Sequence, residues 1–251
     1  MDFDLFDKKM RVFEESLDQT IVPEMYMIAR IDGRSFTKLT KVKCDFEAPF
    51  DVRFRDMMVE TLKHLMDCGF RIVYGYTQSD EISLLFHKDE TAFSRKVRKY
   101  NSLLSGTASA CFSMQLGQLG VFDCRMIPLP NMDLVRDYFL WRQEDANRNA
   151  LNSHCYWMLR KQGVNPSTAQ SQISKKSNAD KNELLYANGV NYNNLPSWQK
   201  RGVGAWFTDV AKEGFNPKTE QKVVVSRKTL HIEYELPLGE DYANLIQERM
   251  V

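Results

Sequence analysis

Between residues 25 and 129 the hydrophobic period switches between two and 3.6 residues in the order β-α-β-β-α-β, and no other feature limits the possible folds as tightly. Residues 25–32 (MYMIARID) alternate as a strand does, just after Pro23. Residues 51–67 put Phe54, Met58, Leu62 and Leu65 on one helical face, with Asp51 as N-cap. Residues 71–77 (RIVYGYT) and 81–87 (EISLLFH) are strand-like and flank the short turn QSD, which predicts a hairpin. A helix over 91–118 follows, its small residues Ser105, Gly106, Ala108 and Ala110 permitting close packing. FDCRMIPL at 122–129 returns as a strand. This order predicts an α+β fold, a split βαβ, ferredoxin-like antiparallel sheet with helices on one face.

The flanks add to that frame. Residues 3–17 have helical spacing, with Phe3, Phe6, Met10 and Phe13 on one side. Asn131 can cap a long helix over about 132–162 that Gly163 ends. Residues 164–201 are polar and irregular, suited to short helices. GAWFTDV at 204–210 and KVVVSRKTLHIEYEL at 222–236 predict a long hairpin, with Gly214, Asn216 and Pro217 in its connection. The C-terminal half therefore reads as a helical and hairpin extension of the sheet.

A chain of 251 residues with 43% hydrophobic residues can bury a core without disulfides. Its five cysteines are scattered, with no CxxC pair and no zinc-ligand spacing to the four histidines, so they read as thiols of a reducing compartment. No run approaches a membrane span, and the acidic, amphipathic start is not a signal peptide; the expectation is cytoplasmic. The net charge of +1 does not announce a nucleic-acid binder. Its distribution is uneven. Residues 160–201 carry Arg160, Lys161, Lys175, Lys176, Lys181, Lys200 and Arg201 against Asp180 and Glu183. Such a region can bind a phosphate backbone or serve as a solvated face.

The carboxylates hold the chemistry. Alternation puts Tyr26, Ile28, Arg30 and Asp32 on one face of the first strand, and Gly33 follows, where the chain can turn. Asp80 and Glu81 sit at the tip of the hairpin. If that hairpin lies beside the first strand, Asp32 and Asp80 converge at one sheet edge. Two carboxylates about 4 Å apart repel by about 4 kcal/mol at an effective dielectric of 20, so a shared proton or a divalent cation must offset them. Oxygen donors favour Mg²⁺ over zinc, and two Mg²⁺ would suit phosphoryl transfer. Either aspartate alone is equally an ordinary cap or turn residue, and spacing leaves both readings open. Arg34, Ser35 and Thr37 after the first aspartate, and Arg95 with Arg98 and Lys99 in FSRKVRKY, could meet phosphates.

Five segments in order carry a resemblance: IDGRSF at 31–36, YTQSDEIS at 76–83, FDCR at 122–125, LVRDYFLWRQEDANRNAL at 134–151 and ADKNELLYANGVNYNN at 179–194. Together they resemble the tRNA-histidine guanylyltransferase superfamily over most of the chain up to residue 202. The resemblance implies a polymerase-palm domain over 1–130, with 131–251 packed on it and contributing tRNA and nucleotide contacts. It implies 3′-to-5′ nucleotide addition to tRNA, using ATP and GTP or other nucleoside triphosphates. Asp32, Gly33 (through its carbonyl) and Asp80 would hold two Mg²⁺, and Asp32, Asp80, Glu81 and Lys181 would serve catalysis. Asp32, Gly33, Arg34, Ser35, Phe36, Thr37, Ser79, Asp80, Arg95, Lys99 and Asn191 would contact nucleotides. A homo-oligomer, a dimer of dimers, is implied, with no membrane partner.

Two departures bear on substrate. Members that add one guanosine to histidine tRNA carry HINNLYN where this chain has NRNALNS at 147–153, with Asn147 in place of the His. That is the pattern of the guanylyltransferase-like branch, and it favours template-directed repair of truncated tRNA 5′ ends over addition of a single guanosine. In FEAPFD at 46–51, Ala48 replaces a family Lys, for which Lys41 or Lys43 could substitute, while Asp51 is retained. Two rival functions belong to other classes. A nucleotidyl cyclase calls for a GGDEF-like turn, and this hairpin has TQSDE. A non-catalytic RNA-binding module would stack bases on Tyr74 and Tyr76, and gives no reason for Asp32 and Asp80 to meet.

Overall fold

The computed structural model describes residues 2–40, 44–216 and 221–250, and the side chains of 212–225 lie outside that description. Lys41, Lys43 and Pro217 therefore fall outside it. Strand β1 (Tyr26–Gly33) pairs antiparallel with β3 (Glu81–Phe86) on one side and β4 (Phe122–Leu129) on the other. Strand β2 (Ile72–Gln78) pairs with β3 as the expected hairpin, and β5 (Val203–Asn216) and β6 (Gln221–Glu233) extend the sheet beyond β2. The order is β4-β1-β3-β2-β5-β6. The ferredoxin-like core is present. The hairpin is longer than its sequence suggests, because Gly214 and Asn216 pair with Val223 and Gln221 inside it rather than forming its connection.

Strand alternation sends β1 side chains to two sides. Met27, Ala29 and Ile31 pack with Ile82, Leu84 and Phe86 against α3 (Val52–Met66) and α4 (Val97–Leu116), around Leu62, Tyr100 and Phe112. Ile28 packs with Tyr74, Tyr76 and Leu85 against α5 (Met132–Lys161) and α9 (Gly239–Glu248), around Val135, Phe139 and Tyr242. Helices thus cover both faces, and the expectation of one covered face is corrected. The second cover comes from the C-terminal half, including α9, whose Tyr242, Ala243 and Ile246 spacing is buried.

Helix α5 has 30 residues, about 45 Å of length. Asn131 caps it as expected, accepting from the Leu134 N–H at 2.9 Å. Its first half lies on the sheet. Its second half carries a separate core (Ala150, Leu151, Cys155, Leu159) that α6 (Pro166–Ser174) and α7 (Asn178–Ala187) complete. Asp51 caps α3, accepting from the Arg53 N–H at 2.7 Å. Helix α4 starts later than its sequence period suggests. Phe93, Ser94 and Arg95 all adopt left-handed φ (51°, 52° and 58°), which no helix of L-residues can contain. Helix α1 (Phe3–Glu15) forms, with Phe3, Met10 and Phe13 exposed.

Candidate active site

The site begins where β1 ends. Asp32 stands opposite Glu81 across the β1–β3 ladder, and the Gly33 N–H donates to the Asp80 carbonyl at 3.0 Å. These two contacts lock the strand end to the hairpin tip, so Asp32 and Asp80 share one sheet edge, as their spacing suggests. Both turns carry left-handed non-glycine residues, Ser35 (φ 61°) and Ser79 (φ 50°), backbone strain of the kind found where a chain must present particular side chains. Gly33 tolerates no Cβ, which would lie 2.5 Å from the Phe36 ring. Phe36 is itself core, tilted against Phe112 and Phe122 at 5.1 and 4.8 Å.

Burial pushes the Asp80 carboxyl up to about 6, and the charge of Asp32 adds to the rise. Burial also raises Asp32, as does the Glu81 charge, with Arg30 opposing them. The Ser79 hydroxyl donates to Asp80 at 3.1 Å. A carboxyl raised by burial and by a neighbouring carboxylate is one that a cation would stabilise. Glu81 is differently placed. Its carboxylate accepts from Arg30, and Arg142 of α5 stands 3.4 Å away. Among the described residues no group of three or more His, Cys, Asp and Glu side chains is placed to hold a metal.

Beside this edge lies a cavity of about 530 Å³, within the size range of nucleotide-sized ligands. Asp80, Ser79, Gln78 and Thr37 line it together with Phe50, Trp157 and Trp198. Asn149, Asn152 and Ser153 of α5 add polar groups. Arg55 stacks on Trp198 with its guanidinium 4.8 Å from the ring centre. The sequence reading missed this α5 wall, because a side chain on the second half of a long helix cannot be assigned to the sheet edge without the packing. Asp32, Gly33, Arg34 and Ser35 lie at the adjacent strand end, outside the lining.

Other expected residues lie elsewhere. Arg95 is buried and donates to the Met25 carbonyl at 2.6 Å, seven residues up the strand from Asp32, about 23 Å at strand rise. Lys99 is one turn along α4, its ammonium 5.5 Å from the Phe93 ring. Neither joins the carboxylate site within one chain. Lys181 is buried on α7 against α5, where the Cys155 thiol donates to its carbonyl at 3.5 Å, and Asn191 accepts from the Asn193 N–H at 3.1 Å. Neither lines the cavity. Tyr74 and Tyr76 are fully buried, so they are core and not a base-stacking surface. Asn147 accepts from the Tyr192 hydroxyl at 2.8 Å, tying α5 to the 3₁₀ turn Tyr192–Asn194. Ala48 lines the cavity beside Asp51, whose carboxyl Arg53 holds well below the usual range.

Known proteins match this arrangement. The family profile described as tRNAHis guanylyltransferase matches residues 7–130, and that described as the Thg1 C terminal domain matches 133–236. The chain belongs to the tRNAHis guanylyltransferase family. It is therefore a nucleotidyltransferase. It is 33% identical to the tRNA(His) guanylyltransferase of Schizosaccharomyces pombe, over 87% of this chain and 88% of that one. It is 34% identical to a probable tRNA(His) guanylyltransferase of Drosophila melanogaster, over 77% and 70%. A bacterial tRNA(HIS) guanylyltransferase (Thg1)-like protein in complex with ATP matches its structure with a TM-score of 0.77 at 25% identity, over 98% and 99%. The Saccharomyces cerevisiae enzyme matches with 0.70 at 26%, over 77% and 90%. The relatives' names favour guanylyl transfer to histidine tRNA over the template-directed repair that Asn147 suggested. Among the described residues no helix is long and apolar enough to cross a membrane.

Proposed function

We propose that this family member adds a guanylyl unit to the 5′ end of histidine tRNA, with Asp32, the Gly33 carbonyl and Asp80 holding Mg²⁺. The observation that carries this reading is the convergence of Asp32 and Asp80 at one sheet edge, beside a cavity of nucleotide size. The donor set fits the ion: Mg²⁺ needs only one or two carboxylates, because substrate phosphates and water complete its shell. Bound there, it would lower the pKa of an attacking hydroxyl and neutralise charge building on the phosphoryl group.

The chemistry runs in two displacements. A 5′-monophosphate oxygen attacks the α-phosphorus of ATP and pyrophosphate leaves, giving an adenylylated end. The 3′-hydroxyl of GTP then attacks the 5′ phosphorus and AMP leaves. The chain's part is to place the reactants. Thr37 offers a hydroxyl donor to the cavity, Ser79 holds the Asp80 carboxylate, and Phe50 and Trp198 offer apolar walls that exclude water. The exposed basic residues between 160 and 201, Lys161 and Lys175 among them, are assigned to tRNA engagement, and the buried Lys181 is assigned to supporting α7 on α5 rather than to the reacting atoms.

A second reading, template-directed repair, is favoured by one feature. Asn147 replaces the His of the single-guanosine enzymes, and its side chain is engaged by Tyr192. One assay separates them. The protein is given Mg²⁺, ATP, all four nucleoside triphosphates and either full-length histidine tRNA or a tRNA lacking its first nucleotide. A single guanosine on the full-length histidine tRNA supports the proposal. Growth of the truncated tRNA alone, by the nucleotide that pairs with the opposite strand, supports repair. No extension of either overturns both.

A further inference from the structure

A chain of alternating charges runs from the carboxylate site into helix α5. The Arg30 guanidinium hydrogen-bonds Glu81 and stands 3.4 Å from Asp32, at the far limit of hydrogen bonding. The other Glu81 oxygen faces Arg142 at 3.4 Å, and Arg142 also bonds Asp145, which takes Arg148 and the Asn149 amide. Arg142 is 2% exposed, and Arg30 and Glu81 are 17% exposed at their side chains, so the middle of this chain of charges is screened from water, while Arg148 at its end is exposed. Arg30 thus has two carboxylates within reach, cross-strand neighbours at the same end of the sheet, and favours Glu81 over Asp32.

That choice has a consequence for the site. An arginine fork turned fully onto Asp32 would occupy the lone pairs that a divalent cation needs. We infer that Glu81, clamped from α5 by Arg142, holds Arg30 off Asp32 and so keeps the Asp32 carboxylate open to a divalent cation. Glu81 is then a positioning residue, as are Arg30 and Arg142, and not a third metal ligand. The helix that walls the cavity and the strand that ends in Asp32 are set by the same ion chain. Packing α5 onto the sheet and opening Asp32 are one event. This inference rests on the reading of Asp32 and Asp80 as a metal site.

Mn²⁺ binding to the full chain tests it, followed by calorimetry and by the shift in melting temperature, without tRNA or nucleotide. Wild type, E81Q, R30Q and the double variant are compared. E81Q is nearly isosteric and frees Arg30 to turn, so Mn²⁺ binding should weaken roughly three- to tenfold, the scale of coupling between contacting groups. R30Q removes the competitor and should tighten binding. In the R30Q background the E81Q change should shrink to less than half its size on a logarithmic scale, because there is no arginine left to release. Additive changes would mean a plain sum of charges and would overturn the inference, as would unchanged binding by E81Q. Should R30Q not fold, Arg142→Lys takes its place: it loosens Glu81 and should weaken Mn²⁺ binding, and wild-type affinity there overturns the inference. A wild-type protein blind to Mn²⁺ overturns the metal site itself, a different failure from additivity.

Discussion

The two faces of strand β1 differ in kind although they alternate residue by residue. Met27, Ala29 and Ile31 join one apolar cluster with residues of α3 and α4. On the other face Ile28 is equally buried, but the next two positions are Arg30 and Asp32, and Glu81 links Arg30 to Arg142 and Asp145 of α5. One face exists to fold. The other folds at one end and concentrates charge at the other. The difference shows how a small α+β sheet can host phosphate chemistry. The all-apolar face supplies stability that offsets the cost of the mixed face, where burial and neighbouring charge raise both Asp32 and Asp80.

Substitutions on each side can break this comparison. Phe112→Ala on the apolar face removes a fully buried ring, which should cost about 3–5 kcal/mol and lower the melting temperature on the order of 10 °C. Turnover per folded molecule should be unchanged at low temperature. A large loss of turnover with little loss of stability would erase the division between the faces.

The opposite sign is expected at the charged end. Asp80 has its carboxyl raised from 3.8 to about 6, so its ionised form is penalised in the folded state. The penalty is absent below the unfolded value, grows as pH rises through that window, and is complete above it. Asp80→Asn should therefore stabilise the metal-free protein at pH 7 by about 1–2 kcal/mol once solvent screening is allowed for, with the gain vanishing near pH 4. Melting curves at the two pH values check this, and a variant destabilised at pH 7 would contradict it. The smallest effect is expected from Lys99→Ala, far up the strand from the site. It should leave stability within about 0.5 kcal/mol and Mn²⁺ affinity at Asp32 and Asp80 unchanged. A change in that affinity would join the two ends of the sheet.

Much of this was legible before the fold. The alternation of Tyr26, Ile28, Arg30 and Asp32 is a local property of a strand, and so is the hairpin that carries Asp80 to the sheet edge; both are observed. Asp51 and Asn131 were readable as caps because capping is decided within three residues. What sequence could not supply was long-range. Covering the second face needed α5 and α9 to fold back over the sheet. Glu81 is placed among the catalytic residues beside Asp80 by resemblance, and only the approach of Arg142, 61 positions later, shows its carboxylate already engaged. Helical spacing and the resemblance both group Arg95 and Lys99 with the phosphate-binding residues, but the turn before α4 and its first turn lie at the far end of the sheet. The left-handed turn over Phe93, Ser94 and Arg95 has no glycine to announce it.

The central claim is that Asp32 and Asp80 together make a metal-dependent site for nucleotide addition. The most direct measurement compares nucleotide addition to tRNA by wild type, Asp32→Asn and Asp80→Asn at saturating Mg²⁺, with melting curves recorded on the same samples. The account predicts that each variant loses about a thousandfold or more of turnover while the fold remains intact. Either variant turning over at the wild-type rate would contradict it.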